Sequence, residues 1–274
     1  MDFVRSLGYR TSLSLLQQAG STVVDHGDHV AVSTADNPGF WWGNFLLLRQ
    51  PPPTDQLPEW VARFEAELPW ARHRAFGLDD PQAPSDAFDT FADLGYQVER
   101  STVMTTESVP RLSHRAADAI CRPLDGDRDW AQHLDLSRFV YPGSEEEPAS
   151  SFARARAEAR RRLVEAGAGL WFGAFVEGQL VSQLGVIRAG RALGRYQDVE
   201  THPEFRRRGL AGTLVSLAGD LALTSTAITT LVMVADPEDE AIRLYRSLGF
   251  TESEHQLEGS LPPPFPPRAA EEKS

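Results

Sequence analysis

The C-terminal half of the chain alternates between helix-like and strand-like patterns of apolar residues. Leucines recur at helical spacing after Gly209, which predicts a helix over residues 209–223. A short apolar run at 229–235 is bounded by polar residues, the pattern of a buried strand. The pattern also predicts strands at 119–123, 170–176, 179–188 and 194–201, and helices at 129–139, 149–166 and 239–248. The order β-α-α-β-β-β-α-β-α-β indicates an α/β domain on a mixed sheet.

The N-terminal half shows a fainter version of the same pattern. It predicts a hairpin at 21–33, strands at 40–48, 75–78 and 97–105, and helices at 57–68 and 85–94. Two segments also resemble each other, ADLGYQVERSTVM at 92–104 and RSLGFTESEHQL at 246–257. Each is a helix end, a Leu-Gly-aromatic stop and a strand. We interpret the match as an internal duplication that gives two similar lobes.

Polar and proline-rich stretches predict where the lobes end. Residues 107–114 are polar, contain Pro110 and follow a strand-like run, so they are the candidate linker. The end of the chain is rich in proline and poor in other apolar residues, which predicts disorder. The predicted division is a first lobe at 1–108, a second at 113–258 and a disordered tail at 259–274.

Composition and charge narrow the classes of function. With 274 residues, 41% hydrophobic and 24% charged, the chain is ordinary for a globular protein. Its net charge of −12 opposes binding to nucleic acid or to an anionic membrane surface, and suits an amine-bearing partner better. The single cysteine, Cys121, permits no internal disulfide. With no signal-peptide pattern and no apolar run of membrane-spanning length, we expect a cytoplasmic protein.

The segment with the most chemical information is DVETHPEFRRRGLAGTLV at residues 198–215. A predicted strand ends here, a basic turn follows, and a helix begins at a glycine. A helix N-terminus offers unpaired N–H groups and partial positive charge, which bind phosphate oxygens. The small residues Gly209, Ala211 and Gly212 let a bulky ligand approach the backbone. Three neighbouring arginines add positive charge, so the turn suits a diphosphate.

A second segment, EDEAIRLYRSLGF at residues 238–250, lies at a characteristic distance from this turn. The runs PEFRRRGLAGTLV and AIRLYRSLGF resemble motifs A and B of the GNAT superfamily of N-acetyltransferases. The resemblance covers about 115–256, and the predicted order of elements agrees with it. It implies an α/β (α+β) fold with two GNAT-like lobes, each a mixed, mostly antiparallel sheet flanked by helices.

The resemblance implies roles for particular residues. Backbone amides of the basic turn would bind the coenzyme A diphosphate, residues 199–201 would pair with the pantetheine arm, and Tyr245 would protonate the leaving thiolate. Glu238 departs from the family, which often has asparagine there, so a side-chain contact from this position is not implied. The coenzyme-binding set is Val199, Glu200, Thr201, Arg206, Arg207, Arg208, Gly209, Leu210, Ala211, Gly212 and Tyr245.

The reaction also needs a base that takes a proton from the attacking amine, directly or through water. Asp198 and Glu200 are the candidates, because the family often places a carboxylate in this region. They share a face if the strand is regular, since side chains alternate with period two. A bulge, common in the family here, leaves open which of them points into the cleft. The alternative interpretation is a pair of salt-bridged structural carboxylates.

Other reactive residue types receive structural interpretations. We interpret His202 as a packing or solvent-facing residue and Cys121 as a core thiol. The arginine-rich run at 154–162 is interpreted as an exposed helix face. The metal-ligating types in DHGDH, at residues 25–29, surround a predicted turn, so we expect a solvated turn and no metal.

The N-terminal lobe differs from the C-terminal lobe in the segment that would correspond to motif A. Its equivalent strand leads into three prolines at 51–53, where motif A requires amide donors, and proline has no N–H. We therefore expect a degenerate lobe that packs beside the active one and shapes the acceptor cleft. Phe40, Trp41 and Trp42 are candidates to line that cleft.

Together these features predict an N-acetyltransferase that uses acetyl-CoA as cosubstrate. An unidentified primary amine would attack the thioester directly in a ternary complex, with proximity and backbone amides lowering the barrier. Two alternatives stay open: a tandem acyltransferase with a different acyl donor, and a non-catalytic sensor of acyl-CoA. The expected partners exclude nucleic acid and membranes, and the chain is expected to be a monomer or a homodimer.

Overall fold

The strands of the chain form one continuous sheet. The computed structural model describes residues 1, 3–112, 115–140 and 149–263. The order across the sheet is β1-β2-β3-β4-β11-β5-β10-β9-β8-β7-β6. The strands are β1 Thr22–Asp25, β2 His29–Ser33, β3 Phe45–Leu48, β4 Arg74–Leu78, β5 Gln97–Thr106, β6 Ile120–Pro123, β7 Gly169–Val176, β8 Gln179–Arg188, β9 Leu193–Thr201, β10 Thr230–Ala235 and β11 Thr251–Leu261.

Helices cover both faces of this sheet. They are α1 Leu7–Gln18, α2 Leu57–Glu67, α3 Asp89–Asp93, α4 Gly126–Val140, α5 Ala149–Glu165, α6 Leu210–Ser225 and α7 Ala241–Ser247. Successive strand residues point to opposite faces. In β7, Trp171 packs with α4 in one cluster, whereas Phe172 joins the core under α6. The predicted mixed, mostly antiparallel sheet flanked by helices is confirmed.

Two features of the N-terminal lobe differ from the sequence predictions. Helix α1 was not predicted; Ser6 caps it by accepting a hydrogen bond from the Tyr9 amide. The strand predicted at 40–48 is wrong in its first half, because residues 41–43 form a 3-10 turn. The Asn44 side chain holds this turn, accepting from the Thr34 amide and donating to the Phe40 carbonyl. These side-chain contacts replace the ladder bonds that a longer strand would make.

The last strand of each half pairs with strands of the other half. Strand β11 lies between β4 and β5, antiparallel to both, and β5 pairs on its other side with β10. The end of the first half therefore completes the sheet of the second, and the end of the second completes the sheet of the first. Neither half has all of its strand neighbours without the other.

The pairing of β11 with β4 also shows that the predicted start of the disordered tail, at residue 259, is wrong. Gly259, Ser260 and Leu261 pair with β4, so β11 continues past the boundary drawn at 259. Leu261 is buried in the core with α2 and α3, which explains why this end of the strand is ordered. Residues 264–274 of the predicted tail lie outside the described residues.

Candidate active site

Strands β9 and β10 separate along their length and open a gap in the sheet. They pair in parallel over three positions, from Leu193 with Thr230 to Arg195 with Val232. Beyond Arg195, β9 continues to Thr201 without a pairing to β10 in the described chain. Its other edge stays paired with β8. The backbone of residues 199–201 thus presents an open edge, as expected for the segment that would pair with pantetheine.

A bulge in β9 lies at the gap. The pairing of β9 with β8 shifts between Gln183 and Gly185, and Asp198 has a positive φ of 47°. A bulge adds one residue to a strand and turns the backbone locally, and aspartate tolerates the left-handed region better than most residues. The bulge therefore redirects backbone groups at the point where the two strands diverge.

The turn after β9 ends at the N-terminus of α6. Gly209 precedes the helix with a φ of 74°, and its carbonyl accepts from the Thr213 amide at 3.0 Å. The amides of Leu210, Ala211 and Gly212 come before this first intrahelical bond, so they are the groups that a helix start leaves for an anion. A Cβ on Gly209 would meet nothing within 4 Å, so glycine is required there by its backbone conformation.

Gly212 is small for a reason that the sequence does not indicate. A Cβ there would lie 3.0 Å from Leu112 Cδ1 and 3.2 Å from Leu244 Cδ1. These contacts come from the linker and from α7, and they pack α6 against both. Packing against Leu112 and Leu244 is therefore a second reason for a small residue here, and the approach of a ligand to this glycine stays a prediction.

The three arginines of the turn have different environments. The Arg206 Nε donates to the Thr201 carbonyl at 3.3 Å, and Arg207 has a positive φ of 58°. Arg208 forms an ion pair with Asp118 and stacks over Phe205, 5.1 Å from its ring centroid. Asp118 was not predicted as a site residue. It lies 90 residues before Arg208, and no local motif marks it.

Asp198 is held between two arginines of α5. Its carboxylate forms ion pairs with Arg156 and Arg160. Burial disfavours the charged form, but the two guanidinium charges outweigh it and lower the pKa of Asp198. The prediction that residues 154–162 form an exposed face is wrong for Arg160, which is 8% exposed, because the face turns toward this buried carboxylate.

Glu200 also lies beneath α4 and α5, but its negative charge is compensated less than that of Asp198. The side chain is 2% exposed, and its Oε2 accepts from Gln183 Nε2 at 2.6 Å and from Ser137 Oγ at 2.8 Å. Its Oε1 is buried without a hydrogen-bond partner in the described part of the chain. Burial, followed by the nearby Asp198 charge, raises the pKa of Glu200. Both carboxylates therefore face α4 and α5.

Tyr245 and His202, which the sequence analysis considered, are also buried beside the site. Tyr245 on α7 is 5% exposed and packs in the core under α6, with its ring 6.3 Å from Phe250. His202 stacks on Phe139 at 4.1 Å, and its Nδ1 accepts from the Glu204 amide at 3.3 Å. These contacts agree with the packing role expected for His202.

A cavity of about 810 Å³ lies between α1, the 33–42 loop and α5, with β9 at its base. Gln197, the residue before the bulge, lines it, so the cavity reaches the strand that borders the gap. Phe40 and Phe152 approach from opposite lobes, with centroids 5.7 Å apart. The aromatic residues of the walls are Phe40, Trp41, Trp42, Phe152 and Trp171.

Three side chains of the N-terminal lobe could hold a metal ion, since donor atoms of His26, His29 and Glu67 lie within 4.8 Å of one another. His29 is 3% exposed, so the expectation of a solvated turn is wrong for it. Its Nδ1 lies 2.7 Å from Asp28 Oδ1 and its Nε2 lies 2.8 Å from Glu67 Oε1. The helix α2 brings Glu67 over the turn and buries the ring.

The N-terminal lobe has no equivalent gap between its described strands. Strands β3 and β4 pair up to Leu48 with Leu78, and the Asp79 amide still donates to the Leu48 carbonyl at 2.8 Å. The prolines at 51–53 follow. Both observations agree with a lobe that lacks a phosphate-binding turn of this kind.

Solved structures share this fold across most of the chain. A GCN5-related N-acetyltransferase from Kribbella flavida is 16% identical over 94% of this chain and 96% of that chain, with a TM-score of 0.64. A conserved protein of unknown function from Staphylococcus epidermidis is 13% identical over 89% of this chain and 94% of that chain, with a TM-score of 0.73. A tandem GNAT protein from the clavulanic acid biosynthesis pathway is 14% identical over 78% and 72%, with a TM-score of 0.53.

The chain therefore shares its fold with structures named as GCN5-related N-acetyltransferases or GNAT proteins. Residues 175–258 match the model of the FR47-like protein family. These residues include the gap, the basic turn before α6 and α7, so the resemblance to GNAT proteins found in the sequence is supported. No curated protein matches the chain in sequence.

Helix length and polarity bear on membrane association. Among the helices of the described residues, none is long and apolar enough to cross a bilayer.

Proposed function

We propose that this protein transfers an acetyl group from acetyl-CoA to a primary amine. One observation carries the proposal: the open edge of β9 leads from the bulge at Asp198 directly into the helix start at Gly209. Pantetheine would extend along residues 199–201, and the diphosphate would lie on the amides of Leu210, Ala211 and Gly212. The cavity that reaches Gln197 would admit the acceptor from the other side of β9.

In this arrangement the amine nitrogen attacks the thioester carbonyl carbon. A C–N bond forms, the C–S bond breaks, and the amine loses a proton while the thiolate gains one. A backbone amide at the bulge would polarise the carbonyl oxygen. Holding both reactants at the gap would supply much of the rate enhancement.

Glu200 fits the general base better than Asp198. A base with a raised pKa binds the proton more readily, and the Oε1 of Glu200 has no hydrogen-bond partner in the described chain. Asp198 has a lowered pKa and its oxygens are engaged by Arg156 and Arg160. Glu200 does not line the cavity, so we propose that a water relays the proton. Tyr245 is proposed as the acid for the thiolate.

Titration calorimetry with acetyl-CoA tests the binding site. Gly209→Glu places negative charge where the diphosphate would lie. Gly126→Glu is a matched control, since Gly126 also begins a helix, has a φ of 70° and leaves open space for a Cβ. We expect micromolar binding that is lost in Gly209→Glu and kept in Gly126→Glu. Native protein that is folded, free of copurified coenzyme A and unable to bind would overturn the proposal.

Turnover distinguishes an enzyme from a sensor of acyl-CoA, because both need the same phosphate-binding turn. Release of free thiol from acetyl-CoA in the presence of amines would be followed over a panel of acceptors. Amine-dependent release supports the transferase. Tight binding with no amine-dependent release across the panel would favour the sensor instead.

A further inference from the structure

The cavity between the lobes contains a buried arginine that no carboxylate of the described residues contacts. Arg195 lines the cavity from β9 and is 8% exposed. Its Nη1 donates to Thr11 Oγ1 at 2.8 Å and to the Gly8 carbonyl at 3.3 Å, and its Nε donates to the Tyr196 carbonyl at 3.2 Å. All three acceptors are neutral, and the described residues place no carboxylate oxygen within 4.0 Å of this guanidinium.

Such an arginine is unusual because buried charges are normally paired. Burial lowers the pKa of Arg195 to about 10, so the group still carries its charge at neutral pH. Two neutral oxygens from α1 orient it, and the carboxylates of Glu258 and Asp198 act on its charge from beyond contact distance. Because Arg195 lines the cavity and no described carboxylate contacts it, an anionic group of a ligand would supply that contact.

The charge of the cavity walls agrees with this view. The whole chain has a net charge of −12, yet the described lining includes one carboxylate, Asp36, and four arginines. Asp198 balances part of the charge of Arg156 and Arg160. Arg162, 63% exposed at the rim, has a 4.0 Å contact with Glu158. The cavity wall is therefore basic in an acidic protein.

The aromatic residues of the cavity wall favour a ligand with an apolar, planar part. Phe40, Trp41 and Trp42 come from the N-terminal lobe, and Phe152 and Trp171 come from the C-terminal lobe. A volume of about 810 Å³ lies in the range that holds a molecule of many heavy atoms, well beyond the smallest amines. Aromatic side chains favour stacking or edge contacts with another ring.

The position of the arginine places an anion-binding group and the bulge on the same strand at the cavity. Arg195 and Gln197 both line the cavity, as expected for residues two apart on a strand. Their Cα atoms are separated by roughly 6–7 Å at the rise of a strand. An anionic group at Arg195 would therefore leave an amine close to Gln197 and the bulge. The α-amino acids carry both groups on one carbon.

We propose that the acceptor is an aromatic α-amino acid, with its carboxylate on Arg195, its amine at the bulge of β9 and its ring between the two lobes. This inference rests on the proposed acetyl transfer and assigns its substrate class. Arg195 is a specificity-determining residue that binds the carboxylate, and the ring walls come from both lobes.

Matched ligand pairs test the inference. N-acetyl-L-tryptophan and N-acetyltryptamine, the two products, differ only in the carboxylate, and calorimetry in the presence of coenzyme A compares their affinities. We expect the acid to bind at least about 10-fold tighter, a factor typical of one buried charged hydrogen bond. The kcat/KM of L-tryptophan over that of tryptamine should show the same preference.

Variants then assign the preference to one residue. Arg195→Met should bring both ratios toward one, and Arg195→Lys should keep part of the preference because it keeps the charge. Arg188→Met, on the neighbouring strand and outside the cavity lining, should keep the full preference. If Arg195→Met fails to fold, the affinities of the native protein for N-acetyl-L-tryptophan and N-acetyltryptamine still test the proposal.

The outcomes separate this inference from the proposed function. Equal affinity within a pair, or binding of neither product at millimolar concentration, overturns the amino-acid assignment. Turnover of tryptamine without a preference for L-tryptophan would overturn it while leaving acetyl transfer intact. A failure of the native protein to bind acetyl-CoA would remove the proposed function itself.

Discussion

Asp198 and Glu200 lie two residues apart on β9, beneath the same two helices, with pKa shifts in opposite directions. Burial acts against the charge on both. Arg156 and Arg160 compensate Asp198 directly, whereas Glu200 has two neutral donors and the negative charge of Asp198 beside it. One carboxylate is thereby kept ionised, and the other is made a better proton acceptor.

Replacing Glu200 with glutamine should impair acetyl transfer without unfolding the protein. We expect kcat to fall by about 10²–10⁴, the usual contribution of a general base. In the native enzyme kcat/KM should rise with pH through an apparent pKa above 4.5, the ordinary value of a glutamate, because only the ionised form accepts a proton. Thiol release measured across pH checks both effects.

The stability of Glu200→Gln provides the control for folding. A raised folded-state pKa stabilises the protonated native protein below the unfolded pKa, and that stabilisation is lost as pH rises to the folded pKa. Glutamine removes this loss, so the free energy of unfolding at pH 7 should not decrease. Glu204→Gln, an exposed change in the turn that follows β9, should leave kcat unaltered. A Glu200→Gln variant with native kcat would exclude the base role.

Asp198→Asn should destabilise the fold at neutral pH. Asparagine tolerates the positive φ of this position, so the change isolates the charge and removes the carboxylate that Arg156 and Arg160 share. Removing one side of a buried pair costs about 3–5 kcal/mol. Because the pKa of Asp198 is lowered, its contribution is present above the unfolded value of 3.8 and is lost as pH falls through the folded value.

Urea unfolding at pH 7 and pH 3 measures the effect of Asp198→Asn. The difference from native protein should be large at pH 7 and smaller at pH 3. Asp118→Asn, which breaks the exposed pair with Arg208, should change the unfolding free energy much less. Equal stability of Asp198→Asn and native protein at pH 7 would contradict the pairing with α5.

Asp118→Asn should tighten the binding of acetyl-CoA. Asp118 neutralises Arg208 beside the turn that is proposed to bind the diphosphate, so its removal leaves this guanidinium available to that ligand. We expect a decrease of about 2- to 10-fold in Kd at low salt, and a smaller decrease at 0.5 M salt because exposed charges are screened. Calorimetry at two salt concentrations checks it. Asp127→Asn, an exposed partner of Arg161, serves as the control. Weaker binding in Asp118→Asn would mean that the carboxylate positions Arg208 instead.

A fragment of residues 113–258 should not fold by itself. It lacks β5, the antiparallel partner of β10, and β4, the partner of β11. Far-ultraviolet circular dichroism and amide NMR dispersion of the isolated fragment check this. Coexpression of 1–110 with 111–274 should restore a folded complex, since all strand pairings are then available. A monomeric fragment with dispersed NMR signals would contradict the need for strands from the other half.

The elements with a strong local pattern could be predicted from the sequence. The leucine spacing of α6, the polar-bounded run of β10 and the glycine before α6 are local features. Helical periodicity, burial and a positive φ at glycine depend on residues that are close in sequence. A window of about ten residues is therefore enough to detect them. The turn at residues 206–209 was found for this reason.

The sequence by itself thus determined the types of the elements, the GNAT resemblance and the glycine turn before α6. The tertiary structure decided which strands pair across the halves, which carboxylate Arg156 and Arg160 hold, and that Asp118 contacts Arg208. It also decided that Arg195 lines a cavity between the lobes, where no carboxylate of the described residues contacts it. Periodicity reports that a side chain is buried but not which side chain it meets, and these partners lie roughly 40 to 190 residues apart along the chain.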